Sequence, residues 1–319
     1  MLRFILGRLL SAIPILFVVT LVTFLIIWLV PGDVASEIAG PDATPAELEQ
    51  IRTDLGLDRP LLERALVWYG NLLRGDLGES YLLNRSVLDA VLERLPVTLS
   101  LASIALVITV VAGIFLGVVA AVRHGTWLDQ GAMTAALLGL SLPDFWFGLV
   151  LIFLFGVALG WLPTGGFVPI TEDFWGWVRS MTLPALTLAF TQMGVVARMT
   201  RSSMLDVLRQ DFIRTARAKG IRQRVVIGKH ALLNALIPVI TVIGVISGVL
   251  LGGTVVIESV YSLPGVGRLI IGAIQRRDYP IIQGGLLMTA AVFVFVNIMV
   301  DLLYGAIDPR IRHGRKSDG

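Results

Sequence analysis

Long apolar runs with at most one charged residue each constrain this chain more than any other feature of its sequence. A helix needs about 20 apolar residues to cross a bilayer core of roughly 30 Å, and backbone groups in lipid must pair within the segment or in a closed barrel. We therefore expect an all-α polytopic membrane protein with six transmembrane helices, the fourth a short span whose helix continues past Arg198. The six runs are Leu9–Val30, Val97–Val122, Ser141–Leu162, Met181–Ala197, Leu232–Ile257 and Ile281–Val300.

Composition agrees with a membrane protein and excludes other classes. Of the 319 residues, 55% are hydrophobic and only 15% are charged, against roughly 25% charged in an average soluble domain. The mean hydropathy of +0.82 and net charge of +3 exclude a disordered chain. Because the sequence contains no cysteine, disulfides, zinc–thiolate sites and thiol nucleophiles are excluded as well.

The first run has a second interpretation, since Arg3 and Arg8 precede it as they would in a secretory signal peptide. The apolar region of such a signal is usually about 7 to 15 residues long. Here the run is longer and ends at Pro31-Gly32-Asp33 without a clear small-residue cleavage pattern. We therefore favour an uncleaved anchor.

The positions of Lys and Arg predict the orientation in the membrane. With a cytoplasmic N-terminus, 16 of the 26 fall in cytoplasmic segments, and six of the other ten fall in one long loop, where the positive-inside rule weakens. We therefore expect both termini in the cytoplasm and the loop 31–96 outside. The pI near 9.5 then reflects topology, so nucleic-acid binding is not expected.

The loop 31–96 carries helix signals. Thr44-Pro45-Ala46-Glu47 has the pattern of a capping box, and Gly56 can end the helix that follows. Pro60–Arg74 is amphipathic and is followed by Gly75, while Ser86–Leu95 precedes Pro96. The sequence thus predicts a helical external loop, which is either a solvated cap on the bundle or a docking surface for an external partner.

The largest charged insertion on the cytoplasmic side is Asp206–Pro238. Within it, basic residues alternate with alanines from Arg214 to Lys219, and Gly220 permits a break or C-cap. The pattern predicts a short helix with a compact face, followed by a turn, that a cytosolic partner can approach closely. An ordinary positive-inside loop would explain the charge but not the alanines.

Thr215-Ala216-Arg217-Ala218-Lys219-Gly220 resembles the cytoplasmic signature of the permease subunits of ABC importers, in the dipeptide and oligopeptide branch that includes nickel and glutathione systems. The general signature is Glu-Ala-Ala, three residues, then Gly, so Thr215 and Arg217 depart from it. The resemblance extends to further blocks and, through the long first external loop, to one particular member of the permease pair. These blocks are Leu55–Pro60, Leu73–Gly78, His230–Pro238, Glu258–Arg268, Arg277–Pro280 and Asp308–Arg310.

The resemblance implies a type I ABC importer permease fold in a bacterial inner membrane. It also implies a heterodimer with a second homologous permease, two cytosolic ATPase subunits and an external substrate-binding protein. The substrate would be a di- or oligopeptide or similar small solute, the alternative being nickel, glutathione or haem. Gly228-Lys229 is followed by His230 and forms no phosphate-binding loop, so this chain is not expected to be an enzyme or to bind a cofactor. ATP and Mg²⁺ would bind the partner subunits.

Two groups of site residues follow from the resemblance. One group would couple the permease to the ATPases, and it comprises Arg214, Thr215, Ala216, Arg217, Ala218, Lys219 and Gly220. The second group would face the external binding protein, and it comprises Asp58, Arg59, Tyr261 and Arg268.

Asp144 is the main candidate for a residue of the translocation pathway, because intramembrane acids usually mark such routes. Ser141-x-x-Asp144 can be a capping box at a helix restart. Alternatively, Pro143 breaks the helix beside a water-filled cavity, where Asp144 and Trp146 meet a peptide amino group or backbone. Glu258 lies toward the end of a run, and we expect it at the interface.

Gly244, Gly248 and Gly252 form a stripe at four-residue spacing in the fifth run, as do Gly113 and Gly117 in the second. Such stripes let helices pack closely, and the alternative is a smooth pore wall. The three histidines are too scattered for a metal site.

The division that we expect is an N-terminal anchor with the first span at 1–30, the external loop at 31–96, and a core permease domain at 97–319 with five spans and a coupling loop at 206–230. A self-sufficient channel or secondary carrier is the rival class. It would need no ATPase, but it lacks an acidic relay at the membrane midplane.

Overall fold

The computed structural model of this chain describes residues 2–29, 34–39, 43–54, 56 and 58–307 and is about 80% helical. Leu55, Leu57 and the terminal Asp308–Arg310 block of the sequence analysis lie outside the described residues. The elements in chain order are α1 (Leu2–Leu29), α2 (Val34–Ala39), α3 (Pro45–Asp54), α4 (Leu61–Leu73), β1 (Glu79–Ser80), β2 (Arg85–Ser86), α5 (Val87–Val122), α6 (Trp127–Ser141), α7 (Asp144–Leu151), α8 (Phe174–Leu208), α9 (Asp211–Ala218), α10 (Gln223–Val225), α11 (Leu232–Val260), α12 (Val266–Gln275) and α13 (Tyr279–Ile307). Helices α7 and α10 continue as π-helical turns at Ile152–Ala158 and Val226–Ala231.

Most of the predicted spans are confirmed. Four continuous stretches within the described residues are long and apolar enough to cross a membrane, and they correspond to the second, fourth, fifth and sixth runs. Helix α8 does continue past Arg198, to Leu208. Helix α1 covers the first run, with Leu10–Leu25 as its described apolar part. The four stretches are Val87–Val122, Phe174–Leu208, Gln223–Val260 and Tyr279–Val300.

The third predicted span, Ser141–Leu162, begins at a sharp break and is helical over Asp144–Ala158, as α7 and its π-helical turn. Helices α6 and α7 meet at a bend of 108°, and the backbone is extended at Leu142 and Pro143 between them. A proline ring disfavours the helical conformation of the residue before it, so Leu142 ends α6 and Pro143 begins a new direction. Helix α6 thus precedes the predicted run, and the pair passes for one span only if α6 is counted together with α7 and its π-helical turn.

The loop predictions are confirmed for two helices and wrong for the third. Helix α3 has the expected capping box, in which the Thr44 N–H donates to Glu47 Oε2 (2.8 Å) and the Glu47 N–H donates to Thr44 Oγ1 (3.3 Å). The Thr44 N–H and hydroxyl both donate to the Glu47 carboxylate, and these two bonds hold the pKa of Glu47 below its usual range. Helix α4 ends before Arg74 and Gly75 as expected.

The third stretch, Ser86–Leu95, does not end before Pro96. Helix α5 runs through Pro96 without interruption, so this stretch is the first part of the second span. A proline removes only one ladder hydrogen bond, whereas Val87 and Val91, both fully buried, pack in a cluster with Ile270 and Ile281. That packing outweighs the lost bond.

The chain divides into two compact units. The first comprises Met1–Leu9, Thr98–Leu263 and Phe293–Gly319, and in it α8 packs against α6, α7 and α11. The second comprises Leu10–Val97 and Pro264–Val292. The three-part division expected from the sequence stays a prediction.

The second unit contains a buried hydrogen-bonded contact centred on Asp278. The β1–β2 hairpin, paired through Glu79 and Ser86, places the Ser80 hydroxyl against the buried carboxylate of Asp278, which also accepts from the Leu82 N–H at 3.4 Å. A buried carboxylate is costly unless it is hydrogen-bonded. These bonds therefore hold the hairpin to the turn between α12 and α13.

Candidate functional site

Helix α9 carries the predicted coupling residues and lies directly on the membrane helices of its own unit. Ile213 and Ala216, three residues apart on one face, are buried at 0% and 7% exposure. They belong to one apolar cluster with residues from the ends of α5 and α8, from the π-helical turn 226–231, and from the start of α11. The other buried members are Ala121, Met204, Val207, Val226, Ala231 and Ala235.

Gly220 ends α9 as the sequence predicts. Its φ of +74° is in the left-handed region, where a side chain is strained. The Gly220 N–H donates to the Arg217 carbonyl (2.9 Å), and the Ile221 N–H donates to the Ala216 carbonyl (3.3 Å). This pair of bonds is a Schellman motif. Gly220 therefore turns the chain sharply away from the helix, and the space around its Cα is open.

The face of α9 that points away from the bundle is exposed and, with the turn after it, carries three basic residues. Ala216 does not belong to it, which corrects the expectation that both alanines meet a partner: its small side chain fits the packing inside this chain. Phe212, which the sequence analysis missed, is 41% exposed beside the basic residues. Ile213 and Ala216 share one face of the helix, and Phe212 lies off that face. An aromatic residue in that position is the signal that could have predicted an exposed ring. The exposed predicted residues are Arg214, Thr215, Arg217, Ala218, Lys219 and Gly220.

Asp144 begins α7, but it does not form the predicted capping box. The Ser141 hydroxyl donates instead to the Leu137 carbonyl at 3.0 Å, and no side chain caps α7. The Asp144 carboxylate accepts from the Thr191 hydroxyl on α8. The Trp146 ring is 47% exposed. Residues two apart on a helix point in nearly opposite directions, so the structure does not bring Asp144 and Trp146 together; their place in a pathway stays a prediction.

Tyr261 is the clearest correction among the predicted docking residues. It is 1% exposed, and its hydroxyl lies 2.7 Å from Thr187 Oγ1 and donates to the Gly148 carbonyl at 3.2 Å. The side chain thus joins α7, α8 and the end of α11, and it cannot contact an external protein in this conformation. Asp58, Arg59 and Arg268 are exposed, as docking requires.

Glu258 is buried within the chain, and its place at the membrane interface stays a prediction. It is fully buried, and its Oε1 accepts from the Thr98 hydroxyl on α5 at 2.6 Å. A buried carboxyl group needs such partners because desolvation is costly. The bond ties α5 to the end of α11.

The glycine stripe in α11 is mostly a packing surface. A Cβ at Gly248 would collide with the Phe293 ring, and one at Gly244 would lie 3.2 Å from Val300. In α5, a Cβ at Gly113 would lie 2.7 Å from the Val196 side chain on α8. Close packing is therefore confirmed at these positions. Gly252 differs, because the space beside it is open.

An ion pair that the sequence analysis missed holds the α5–α6 turn to α8. Asp129 is buried, and it accepts two bonds from Arg201, from Nε at 2.5 Å and from Nη2 at 2.8 Å, with a third from the Gly125 N–H at 3.0 Å. Bidentate pairing of this kind is strong and directional. Asp129 and Arg201 are 72 residues apart in the sequence, so no local sequence pattern predicts the pair.

Comparison with known proteins identifies the family of this chain. Residues 113–313 match the family described as "Binding-protein-dependent transport system inner membrane component", and residues 1–102 match the N-terminal membrane-component domain of the same systems. The chain belongs to this family. It is therefore a transmembrane permease component of an ABC importer, and the resemblance found in the sequence is confirmed.

The relatives match almost the entire chain. A Brucella abortus protein, provisionally named a peptide transport system permease protein, is 49% identical over 97% of this chain and 98% of its own length. The di/tripeptide transport system permease protein DppB of Pseudomonas aeruginosa is 44% identical, over 99% of this chain and 100% of its own. The glutathione transport system permease protein GsiC of Escherichia coli K12 is 43% identical, over 98% of this chain and 100% of its own.

Solved structures support the fold. The inward-facing methionine ABC transporter MetNI contains a chain that matches with a TM-score of 0.57 at 16% identity, covering 69% of this chain and 97% of that one. The all-α type I ABC importer permease fold is thereby confirmed.

Proposed function

We propose that this permease forms half of the translocation pathway for di- or oligopeptides or similar small solutes and works by alternating access. Relatives named for di/tripeptide and glutathione transport, each matching nearly the whole chain, support this substrate class. Permeases for nickel or haem are the alternative within the same family. The other half of the pathway is a second homologous permease, which makes the membrane part a heterodimer.

Two cytosolic ATPase subunits bind ATP and Mg²⁺, and an external binding protein delivers the substrate. This division of labour is supported by the lack of a phosphate-binding Gly-Lys motif in the chain. Both termini lie in the cytoplasm, as supported by the 16 Lys and Arg residues that this orientation places inside.

The packing of α9 is the observation that carries the proposal. A cytosolic partner that binds the exposed basic face of α9 pushes on a helix whose other face is buried among α5, α8 and α11. Burial of a side chain such as Ile213 stabilises the packing of α9 against these helices by roughly 1.5–3 kcal/mol. Helix α9 therefore moves together with the cytoplasmic ends of these spans, and closure of the ATPases is transmitted to the pathway.

The chain that follows α9 suits this role. The π-helical turn 226–231 separates the short helix α10 from the long span α11, and turns of this kind are frequent at functional sites. Val226 and Ala231 at its two ends are buried in the same cluster as Ile213. Movement of α9 therefore reaches α11 through buried contacts rather than through a loose linker.

Copurification tests the assembly. The tagged chain is extracted from its native membranes in mild detergent, and every protein bound in fixed ratio is identified by mass spectrometry. We expect two ATPase chains and a second permease. A homo-oligomer that transports alone after reconstitution would overturn the proposal and favour the carrier or channel class.

The substrate needs its own test. The binding protein encoded with these partners is isolated, and its affinity for a dipeptide, glutathione, Ni²⁺ and haem is measured by calorimetry. We expect binding of the peptide or of glutathione. Binding of Ni²⁺ or haem alone would contradict the peptide assignment and leave the permease role intact.

A further inference from the structure

Helix α4 of the loop after α1 has an exposed apolar stripe. Leu62, Leu66 and Leu73 are 73%, 67% and 88% exposed. At 3.6 residues per turn their positions fall within about 40° of one another around the helix axis. Glu63, more than half exposed, lies on a different side and pairs with Arg59 at 3.6 Å. The helix thus presents a leucine stripe that no described residue of the second unit covers, next to a polar side.

The aromatic residues of α4 contact α1: Tyr69 borders the stripe, about 20° from Leu62 around the helix axis, and Trp68 lies about 120° away from it. The Tyr69 ring stacks on Phe17 with centroids 6.4 Å apart, and its hydroxyl lies 3.3 Å from Thr20 Oγ1. The Trp68 ring lies 5.8 Å from Phe24. Helix α4 therefore lies along α1, the helix of the first predicted span, although it belongs to the loop.

The depth of these contacts can be estimated from α13. The Gln283 amide donates to the Thr23 carbonyl at 3.5 Å, and Gln283 is four residues, about 6 Å, into α13. Thr23 of α1 therefore lies near the membrane boundary. Phe17 is six residues deeper, about 9 Å along the helix axis. By the same count Thr20, which the Tyr69 hydroxyl contacts, lies about 10 Å inside the boundary. Tyr69 thus reaches the acyl chains, and Trp68, beside Phe24, lies nearer the boundary, where such rings are enriched.

We propose that α4 is an interfacial helix whose leucine stripe inserts into the lipid leaflet on the loop side of the membrane. Amphipathic helices of this kind bury their apolar face about 5–10 Å into the boundary between headgroups and acyl chains. The stripe continues the apolar surface that α1 presents beside it. The exposed α1 residues on that surface are Phe17, Val18, Leu21, Val22 and Leu25.

Lipid fits the stripe better than a protein partner does. Protein interfaces take most of their binding energy from Trp, Tyr and Arg, with Leu under-represented among the energetic anchors. In α4 the two aromatic rings are already used against α1, and only aliphatic side chains remain on the stripe. The loop would then hold its docking residues, including Asp58 and Arg59, at the membrane surface. That the leaflet is the outer one rests on the proposed topology, but the depth of α4 does not.

The natural absence of cysteine gives a direct test. Leu66→Cys, Glu63→Cys and Val22→Cys are made singly, labelled with a nitroxide, and reconstituted in vesicles as part of the whole transporter. Collision rates with oxygen, which concentrates in lipid, are compared with those of a water-soluble nickel chelate. We expect oxygen to dominate at Leu66 as at the α1 reference Val22, and the nickel chelate to dominate at Glu63.

Two outcomes would overturn the proposal. A label at Leu66 that favours the nickel chelate means that the stripe faces water. A label protected from both reagents means that another protein covers it. Leu73→Cys repeats the measurement at the most exposed leucine, in case Leu66→Cys fails to assemble. Because the readout is depth rather than uptake, it is independent of the proposed substrate and of coupling to the ATPases.

Discussion

Helices α9 and α4 are both short, amphipathic and separate from the spans, and they end in the same way. At the end of α4 the Gly75 N–H donates to the Leu72 carbonyl (3.0 Å) and the Asp76 N–H donates to the Asn71 carbonyl (3.0 Å). Gly75 has a φ of +80°, close to the +74° of Gly220. Each helix therefore closes with a Schellman motif around a left-handed glycine.

Their exposed faces differ in chemistry. Helix α9 buries Ile213 and Ala216 in its own unit and presents basic residues. Helix α4 exposes leucines and uses two aromatic rings to lie on α1. Secondary structure and capping are thus the same, and we propose that the outward face decides the partner: an aqueous protein surface for α9 and lipid for α4. Substitutions at matched positions test this contrast.

The largest effect is expected from the two cap glycines. Gly220→Asp places a charged side chain in a strained left-handed position at the end of the coupling helix. We expect uptake to be abolished while the chain stays in the membrane, measured by transport of labelled substrate and by immunoblot of membrane fractions.

Gly75→Asp is the matched control, since Gly75 has the same backbone conformation and the same open surroundings. It should retain most of the uptake. Normal transport by a stably inserted Gly220→Asp protein would contradict the role of α9, and equal loss in both variants would mean that strain alone is responsible.

The second-largest effect is expected when a buried residue of α9 is compared with an exposed residue of α4. Ile213→Ala removes a fully buried side chain from the cluster that seats α9, and such changes cost about 2–5 kcal/mol. Leu62→Ala removes an exposed side chain from α4, which should change stability by no more than about 0.5 kcal/mol. Thermal unfolding of the purified transporter in detergent measures both. A larger loss for Leu62→Ala would show that the stripe is packed against protein.

The third effect separates docking from folding on α9. Phe212→Ala truncates a partly exposed ring, so we expect unchanged abundance. If the ring anchors a cytosolic partner, uptake should fall roughly fivefold or more, since interface anchors contribute above about 1 kcal/mol. Comparison with Ile213→Ala at equal membrane abundance tests this. Wild-type uptake in Phe212→Ala would remove Phe212 from the coupling surface.

Local features of the sequence predict most of this architecture. Hydropathy places α5, α8, α11 and α13 because burial in lipid depends on about 20 consecutive residues. The capping box at Thr44 and the break at Gly220 are predicted because each involves only neighbouring residues. Such signals act within a few residues of the chain, which is the range that a single sequence reveals.

Contacts between distant segments could not be predicted in this way. The Asp129–Arg201 pair and the Tyr261–Thr187 contact join residues 72 and 74 apart. The resemblance places Tyr261 on an external surface, whereas the packing of α7 and α8 around it decides its burial. The same reason applies to Glu258, whose partner Thr98 is on another helix.

The smallest effect concerns the contact that holds α4 on α1. Tyr69→Phe keeps the ring stacked on Phe17 and removes only the hydroxyl 3.3 Å from Thr20. We expect a loss of about 0.5–1.5 kcal/mol, the net value of one hydrogen bond, measured by thermal unfolding, with uptake unchanged. Tyr69→Ala also removes the stacking, so it should lower the oxygen-collision rate of a label at Leu66 as α4 leaves the membrane boundary. If neither variant changes the depth of that label, the aromatic contact does not position α4, and the leucine stripe alone must hold the helix in lipid.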